Sequence, residues 1–297
     1  MPFSVHRIAS SLAGRLLDAL APRLSMAERT SPCTKIGLVH LSDHYRTLIS
    51  SGAPLPRIQD VGFRVFSQFD EDGILLFLLA VVGRGPGIFV DIGAGDGVTA
   101  SNCANLALNL GFHGLMVDAN AEKVRRAERF YAGHPDTSQY PPRCCCAMVT
   151  RGNINSLILD GGVKGEIDVL SIDIDGNDYW VWKTIECVQP RIVVAEVHVE
   201  FGKRSIVVPY DDNFTWQSGG SPYYAGASAG AMTKLAADLG YRLVGANRYG
   251  FNAFYLRNDL AIETIPTMQV DELLSHPRTV ARELLFEDIK DLPFVQV

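Results

Sequence analysis

The stretch that decides how this chain folds runs from Phe89 to Ser101 and reads "FVDIGAGDGVTAS". A short apolar run bounded by turn residues fits a strand buried on both faces. It ends in glycines, which lack a Cβ and accept positive φ, so backbone N–H groups in the turn can approach a ligand closely. A helix is expected next, over "TASNCANLALNLG", stopped by Gly111.

Outward from this unit the same alternation repeats. Upstream, "EDGILLFLLAVVG" predicts a helix ending at Gly83. Downstream, "HGLMVDAN" predicts a strand, "AEKVRRAERFYAG" a helix and "RCCCAMVT" a strand. "INSLILDGG" and "DYWVWKTIECV" read as helices around the strand "IDVLSIDID", and "RIVVAEVHVE" as the strand after them. "GASAGAMTKLAADLG" is a helix with a glycine C-cap, followed by strands "YRLVGAN" and "NAFYLRN". Strands alternating with helices imply a Rossmann-like, doubly wound α/β fold with a mostly parallel seven-stranded sheet. The last two strands are separated only by "RYGF", too short for a parallel crossover, so one strand is antiparallel. We divide the chain into an N-terminal helical extension (1–60), a ligand-binding domain (61–262) and a helical tail (263–297). Within the domain, residues 201–225 have no period and many Gly, Pro and aromatic residues, the composition of a binding loop or lid.

Composition narrows the function. A net charge of −6 on 297 residues argues against nonspecific nucleic-acid binding, which needs a basic face. No apolar run reaches the ~18 residues of a membrane span, so a soluble, cytoplasmic protein is expected. The six cysteines do not have the spacing of a disulfide framework. Cys144, Cys145 and Cys146 alternate faces on a strand and cannot converge on one ion, so they read as buried strand thiols. Val5, Ile8, Leu12, Leu16, Leu20 and Leu24 recur at helical spacing beside Arg7, Arg15 and Arg23. An amphipathic helix packing on the domain or a partner is the preferred reading, with a transit peptide as the alternative. The two amphipathic ends are compatible with a homodimer.

The turn discriminates among ligands. The dinucleotide fingerprint G-x-G-x-x-G is met at Gly93 and Gly95, but its third position is Val98. Asp91 precedes the turn and Asp96 lies within it, and two carboxylates oppose a pyrophosphate at a helix N-terminus. A P-loop is excluded, because no Gly-Lys-Ser/Thr follows. A cationic ligand with a nucleoside end suits the same turn, and S-adenosylmethionine, with its amine, sulfonium and ribose, is such a ligand. Asp118, ending the next strand, can accept both ribose hydroxyls.

With "VDIGAGDG", "MVDAN" and "DVLSIDID", the chain resembles the class I S-adenosylmethionine-dependent methyltransferases. "FSQFDEDGIL" and "DVLSIDIDGNDYWVW" are similar to the FkbM-like small-molecule methyltransferases. The resemblance implies that Asp91, Gly93, Ala94 and Gly95 line the methionine part of the cofactor. It places Asp118, Ala119 and Asn120 at the ribose, and Asn153 and Ile154 near the adenine, where many relatives have an acid. It also implies a small-molecule acceptor, methylated on a hydroxyl of a sugar or secondary metabolite in natural-product or glycan biosynthesis.

Ligands of open α/β sheets bind outside the carboxyl ends of the strands, where two adjacent ends are rich in polar groups. "SIDIDGND" sets Asp173 and Asp175 on one side of a strand, and "AEVHVE" sets Glu196 and His198 likewise on the next. Three readings stay open. These groups cap helices; or they are catalytic, His198 or an aspartate removing a proton from a hydroxyl acceptor. In the third, Asp173, Glu196 and His198 hold Mg²⁺ or another divalent cation that lowers the acceptor's pKa. Ser67, Gln68 and Glu71 either contact the cofactor or form a capping box with Asp70. Tyr210, Asp211, Tyr223 and Tyr224 lie in the 201–225 loop and are expected either to contact the acceptor or only to pack. The competing functions are an S-adenosylmethionine enzyme of another type, N-methylating or cyclising, and a non-catalytic subunit of the same fold.

Overall fold

The computed structural model describes residues 25–215 and 220–297; the expected amphipathic segment from Val5 to Leu24 lies outside them. The chain enters through α1 (Pro32–Ser51), whose first turn is capped by Ser31 and whose end is closed by Gly52. Helix α2 (Glu71–Val82) is buried along most of its length, as its unbroken apolar run requires. The central sheet is assembled from β1 (Ile88–Ile92), β2 (His113–Asp118), β3 (Arg143–Cys146), β4 (Gly165–Ile172), β5 (Val188–Glu196), β7 (Tyr241–Ala246) and β8 (Asn252–Arg257). Its order is β3-β2-β1-β4-β5-β8-β7, with β8 antiparallel to both neighbours and the other pairs parallel. The chain direction across the sheet switches between β1 and β4, so the carboxyl ends of those two strands open a crevice.

Helices α3 (Ala104–Asn109), α4 (Ala121–Gly133), α5 (Ile154–Asp160), α6 (Asp178–Thr184) and α7 (Ala229–Asp238) complete the layers. Helix α4 has the expected bounds, with Asn120 accepting from the N–H groups of Glu122 and Lys123. Helix α3 is far shorter than expected. The N–H groups of Val98 and Thr99 donate to Asp96, Ala100 has φ 57°, and Ser101 accepts from Cys103 and Ala104. Side chains satisfy these donors before a helix can, so it starts only at Ala104.

Three further expectations are corrected. Cys144 and Cys145 are half-buried and Cys146 is exposed, because β3 is an edge strand; all six cysteines are free. The loop after β5 contains a short strand, β6 (Ile206–Val207), paired with β9 (Val295–Gln296) at the C-terminus. The tail is not one helix but α8 (Val270–Leu273), α9 (Pro277–Arg282) and a 3₁₀ turn (Glu283–Asp288), broken at Pro277, which cannot donate a helical hydrogen bond. Its Phe286 and Phe294 pack on Phe201 in a second small core that also holds Ile206, Val208 and Tyr224. No helix among the described residues is long and apolar enough to cross a membrane.

The start of β1 is fixed by a buried charge. Asp168 of β4 is fully buried, accepts from the N–H groups of Gly85, Gly87 and Ile88, and lies 3.8 Å from the Arg191 guanidinium. Asp168→Leu strands three donors and a cation, so it should lower the unfolding free energy by ~3–5 kcal/mol. Urea denaturation checks this; a loss below ~1 kcal/mol would mean the freed donors reach water.

Candidate functional site

The carboxyl ends of β1 to β5 surround a cavity of about 680 Å³. Its floor is the glycine turn. Gly93 has φ 88°, and a Cβ there would lie 1.6 Å from the carbonyl oxygen of Asp173, so only glycine lets the turn pass the end of β4. The N–H groups of Gly93 and Ala94 both donate to the Val117 carbonyl, and that of Gly95 donates to the Asp118 carboxylate at 2.8 Å. The other Asp118 oxygen accepts from the Asn120 N–H at 2.7 Å. These contacts fix the carboxylate beside the turn and leave lone pairs for ligand hydroxyls.

Asp91 lines the cavity where β1 ends, flanked in register by Met116 of β2 and Ser171 of β4. Burial raises its pKa to about 6, against the opposing effect of the Ser101 hydroxyl that donates to it at 3.1 Å. Asn102, buried beside it, donates to the Ser171 hydroxyl, while its own Oδ1 has no partner. A buried acceptor without a donor is costly, and a ligand amine would relieve it. Asp96 is absent from the cavity lining; its carboxylate turns back on Val98 and Thr99. Beside the glycine turn the acidity facing a ligand therefore comes from Asp91 and Asp118, and Lys123 is the one cationic side chain among the described residues of the lining.

Other expected contacts divide. Gln68, Ala119 and Asn120 line the cavity. Ser67 and Glu71 do not: Ser67 hydrogen-bonds Asp72, and Glu71 accepts from Asn247, Asn252 and the Phe69 N–H. Asn153 and Ile154 stand outside the lining. Ile154 is fully buried, and Asn153 bridges the Thr150 N–H and the Met148 carbonyl. Ala147, Met148 and Val149 take that wall instead, because β3 stops at Cys146 and the chain crosses the cavity mouth before α5 begins. An apolar loop after an edge strand has no periodicity by which the sequence would reveal it.

The acids after β4 and β5 converge. Asp173, Asp175 and Glu196 each offer an oxygen, all within 4.8 Å of one another. Asp175 has φ 55°, in the left-handed region. Asp178, buried, accepts from the Ile174 and Gly176 N–H groups and holds the turn, whereas the expected helix cap is not made: Asn177, at the N-cap of α6, forms no side-chain capping bond. Burial and then repulsion from Glu196 raise Asp178 to about 6 and raise Asp173 well above the carboxylate range. Asp175 is raised for the same two reasons.

His198 is not in the converging set. Strand β5 ends at Glu196, and the chain leaves the ladder as the Val197 N–H turns to the Phe251 carbonyl and that of His198 to Ala227. The imidazole lies behind Glu196, Nε2 3.7 Å from its Oε2 and Nδ1 3.9 Å from the buried Glu200. Neither Glu196 Oε2 nor His198 Nε2 has a hydrogen-bond partner. Burial alone would lower the His198 pKa; attraction to Glu196 and Glu200 outweighs it and raises it. Of the loop residues, Tyr210, Asp211, Tyr223 and Tyr224 do not line the cavity, and Phe214 does.

No protein-family model matches the sequence, and no curated protein matches it. Solved structures similar to this chain include magnesium protoporphyrin IX methyltransferase from Synechocystis PCC 6803 with bound SAM. It is 12% identical, the match covers 63% of this chain and 77% of that one, and the TM-score is 0.39. Geranyl diphosphate methyltransferase in complex with SAM is 15% identical, with 76% of this chain and 82% of that one covered and a TM-score of 0.40. Likenesses this distant carry no functional assignment, which rests on the residues of the cavity.

Proposed function

We propose that this protein is an S-adenosylmethionine-dependent methyltransferase acting on a hydroxyl of a small molecule, of the FkbM-like kind. The observation that carries the reading is the pair of carboxylates, Asp91 and Asp118, on either side of the Gly93–Gly95 turn. With no helix starting at the turn and only Lys123 positive among the described residues of the lining, a diphosphate finds little to bind, whereas an amine and a ribose find acceptors. Asp91 and Asn102 would receive the ammonium group, Asp118 the ribose hydroxyls, and Met148 and Val149 the flat base.

Bound here, the cofactor supplies an electrophilic methyl group. A neutral hydroxyl is a poor nucleophile and needs a base or a metal. Asp173, Asp175 and Glu196 fit a divalent cation such as Mg²⁺: they offer hard oxygen donors, and their mutual repulsion is relieved by positive charge. In the absence of a cation, Glu196, with the His198 imidazole 3.7 Å behind it, would be the group to take the acceptor's hydroxyl proton. A cytoplasmic location and a homodimer belong to the same proposal.

Calorimetric titration with S-adenosylhomocysteine and with NAD tests the cofactor, the first expected to bind and the second not. The ammonium group needs Asp91 ionised, and Asp91 titrates at about 6. Affinity should therefore be steady above that pH and fall about tenfold per unit below it. Asp91→Asn should bind weakly at all pH values without that slope, and NAD binding in the turn would refute the assignment.

The acid cluster makes a second prediction. Asp91, Asp173, Asp175, Asp178 and His198 all have folded pKa values above their unfolded ones. The stability this confers is present at low pH and is lost as pH rises through the folded values, about 6 for Asp91 and Asp178. The melting temperature should be several degrees higher at pH 5.5 than at pH 8. Mg²⁺ at pH 8 should recover part of the difference in the wild type and none in Glu196→Gln. A metal-independent melting temperature would remove the cation from the mechanism.

A further inference from the structure

Three consecutive acids, Asp70, Glu71 and Asp72, stand where α2 begins, and Asp70, at its N-cap, makes no capping bond. Each holds another piece of chain instead. Asp70 accepts from the Arg248 N–H at 3.0 Å, and Glu71 from the amides of Asn247 and Asn252 at 2.7 and 2.9 Å. Both therefore fasten the helix to the β7–β8 hairpin. Asp72, 1% exposed, holds the segment before the helix. One of its oxygens accepts from the N–H groups of Val65, Phe66 and Ser67 at 2.7, 2.6 and 2.8 Å, and from the Ser67 hydroxyl at 2.9 Å. Successive N–H groups converging on one anion curl the backbone into an arch. Ser67 is bridged to Ala100, beyond the glycine turn, which sets this arch against the cavity.

Gln68 is bracketed by these bonds. Asp72 holds the N–H of Ser67 before it, Glu71 holds that of Phe69 after it at 2.8 Å, and Gln68 itself lines the cavity. Its amide makes no hydrogen bond among the described residues. The bridge places it beside Ala100 and Ser101, on the side where the Ser101 hydroxyl donates to Asp91. The neighbouring side-chain donors are already engaged: that hydroxyl on Asp91, the Thr99 hydroxyl on Asp96 and the Asn102 amide on Ser171. Lys123 stands elsewhere, in the first turn of α4, which follows Asp118. An amino acid whose ammonium group sits at Asp91 bears its carboxylate on the same carbon. That carboxylate cannot face Asp91, and the uncommitted side-chain donor on this side is the Gln68 amide.

Resting on the S-adenosylmethionine reading, we propose that Gln68 donates to the carboxylate of the cofactor's amino-acid end, and that Asp72 is the positioning residue that delivers it there. Asp72 is not part of the cavity lining and touches no ligand; it acts through the arch.

The test compares two ligands by calorimetric titration of the full-length protein. One is S-adenosylhomocysteine; the other is S-adenosyl-3-thiopropylamine, which keeps the nucleoside, the sulfur and the amine but lacks the carboxylate. The wild type should bind the second about tenfold more weakly. Gln68→Ala should weaken S-adenosylhomocysteine about tenfold and Asp72→Asn, which keeps the shape and removes the charge, about fivefold. Both variants should bind the decarboxylated compound within twofold of wild type. In the Gln68→Ala background Asp72→Asn should cost less than twofold, because its effect passes through the missing amide. If Asp72→Asn does not fold, Ser67→Ala, which removes the hydroxyl joining the arch to Asp72, takes its place in the cycle. Equal losses for the two ligands would show a merely structural role, and additive losses in the double variant would break the route through Gln68; either overturns the positioning role. Equal wild-type affinity for the two ligands overturns the carboxylate contact. Failure of the wild type to bind S-adenosylhomocysteine at all overturns the cofactor reading instead, and this inference with it.

Discussion

The site depends on one close approach: the backbone of Gly93 against the carbonyl of Asp173, where β1 and β4 end side by side. Parallel strands on either side of a switch in chain order diverge at their carboxyl ends, and the turn after β1 must fit the gap. Here it is held from both sides. On one side Val117 accepts two of its N–H groups and Asp118 a third; on the other the Asp173 carbonyl leaves no room for a Cβ. Because Asp173 also begins the acidic turn, the same contact sets the spacing between the glycine turn and the carboxylates. Ligand floor and acid wall are thus positioned by one steric constraint rather than by two independent loops.

What the sequence disclosed follows from how local each signal is. Helix α4 was legible to its last residue because its apolar face recurs at i, i+3 and i+4 and Asn120 announces its cap. The antiparallel pair β7–β8 was legible because a four-residue link has only one geometric solution. Helix α3 was misjudged where side chains competed for the backbone: Asp96 and Ser101 satisfy the very N–H groups a longer helix would have used. The tail was misjudged at Pro277, a breaker present in the sequence but outweighed by the apolar periodicity around it.

Side-chain direction was harder to read than element type. Alternation predicts that Glu196 and His198 share a face only while the strand lasts, and β5 ends between them. Asp173 and Asp175 lie beyond β4 as well, yet they converge, through a positive φ at Asp175 that spacing cannot announce. Phe214 was one aromatic residue among several in an aperiodic loop. Its place at the cavity is set by pins from Asn177 and Trp180, which are remote in sequence. Local patterns specify elements, whereas the wall of a cavity is specified by contacts between them.

The electrostatics of the acid turn argue that it is more than a by-product of folding. Desolvation and the nearby Glu196 charge make Asp173 and Asp178 harder to ionise, and backbone N–H donors offset this only for Asp178. Stability alone gives no reason to crowd half-buried carboxylates at 173 and 196, where like charges repel and amides would fill the same space. His198 sharpens the point: it approaches Glu196 and Glu200 without hydrogen-bonding either, so Glu196 keeps a buried oxygen free on the side of the imidazole. Groups left without hydrogen-bond partners this close to a cavity, and tied to the turn that shapes it, support the reading of this cavity as the proposed site.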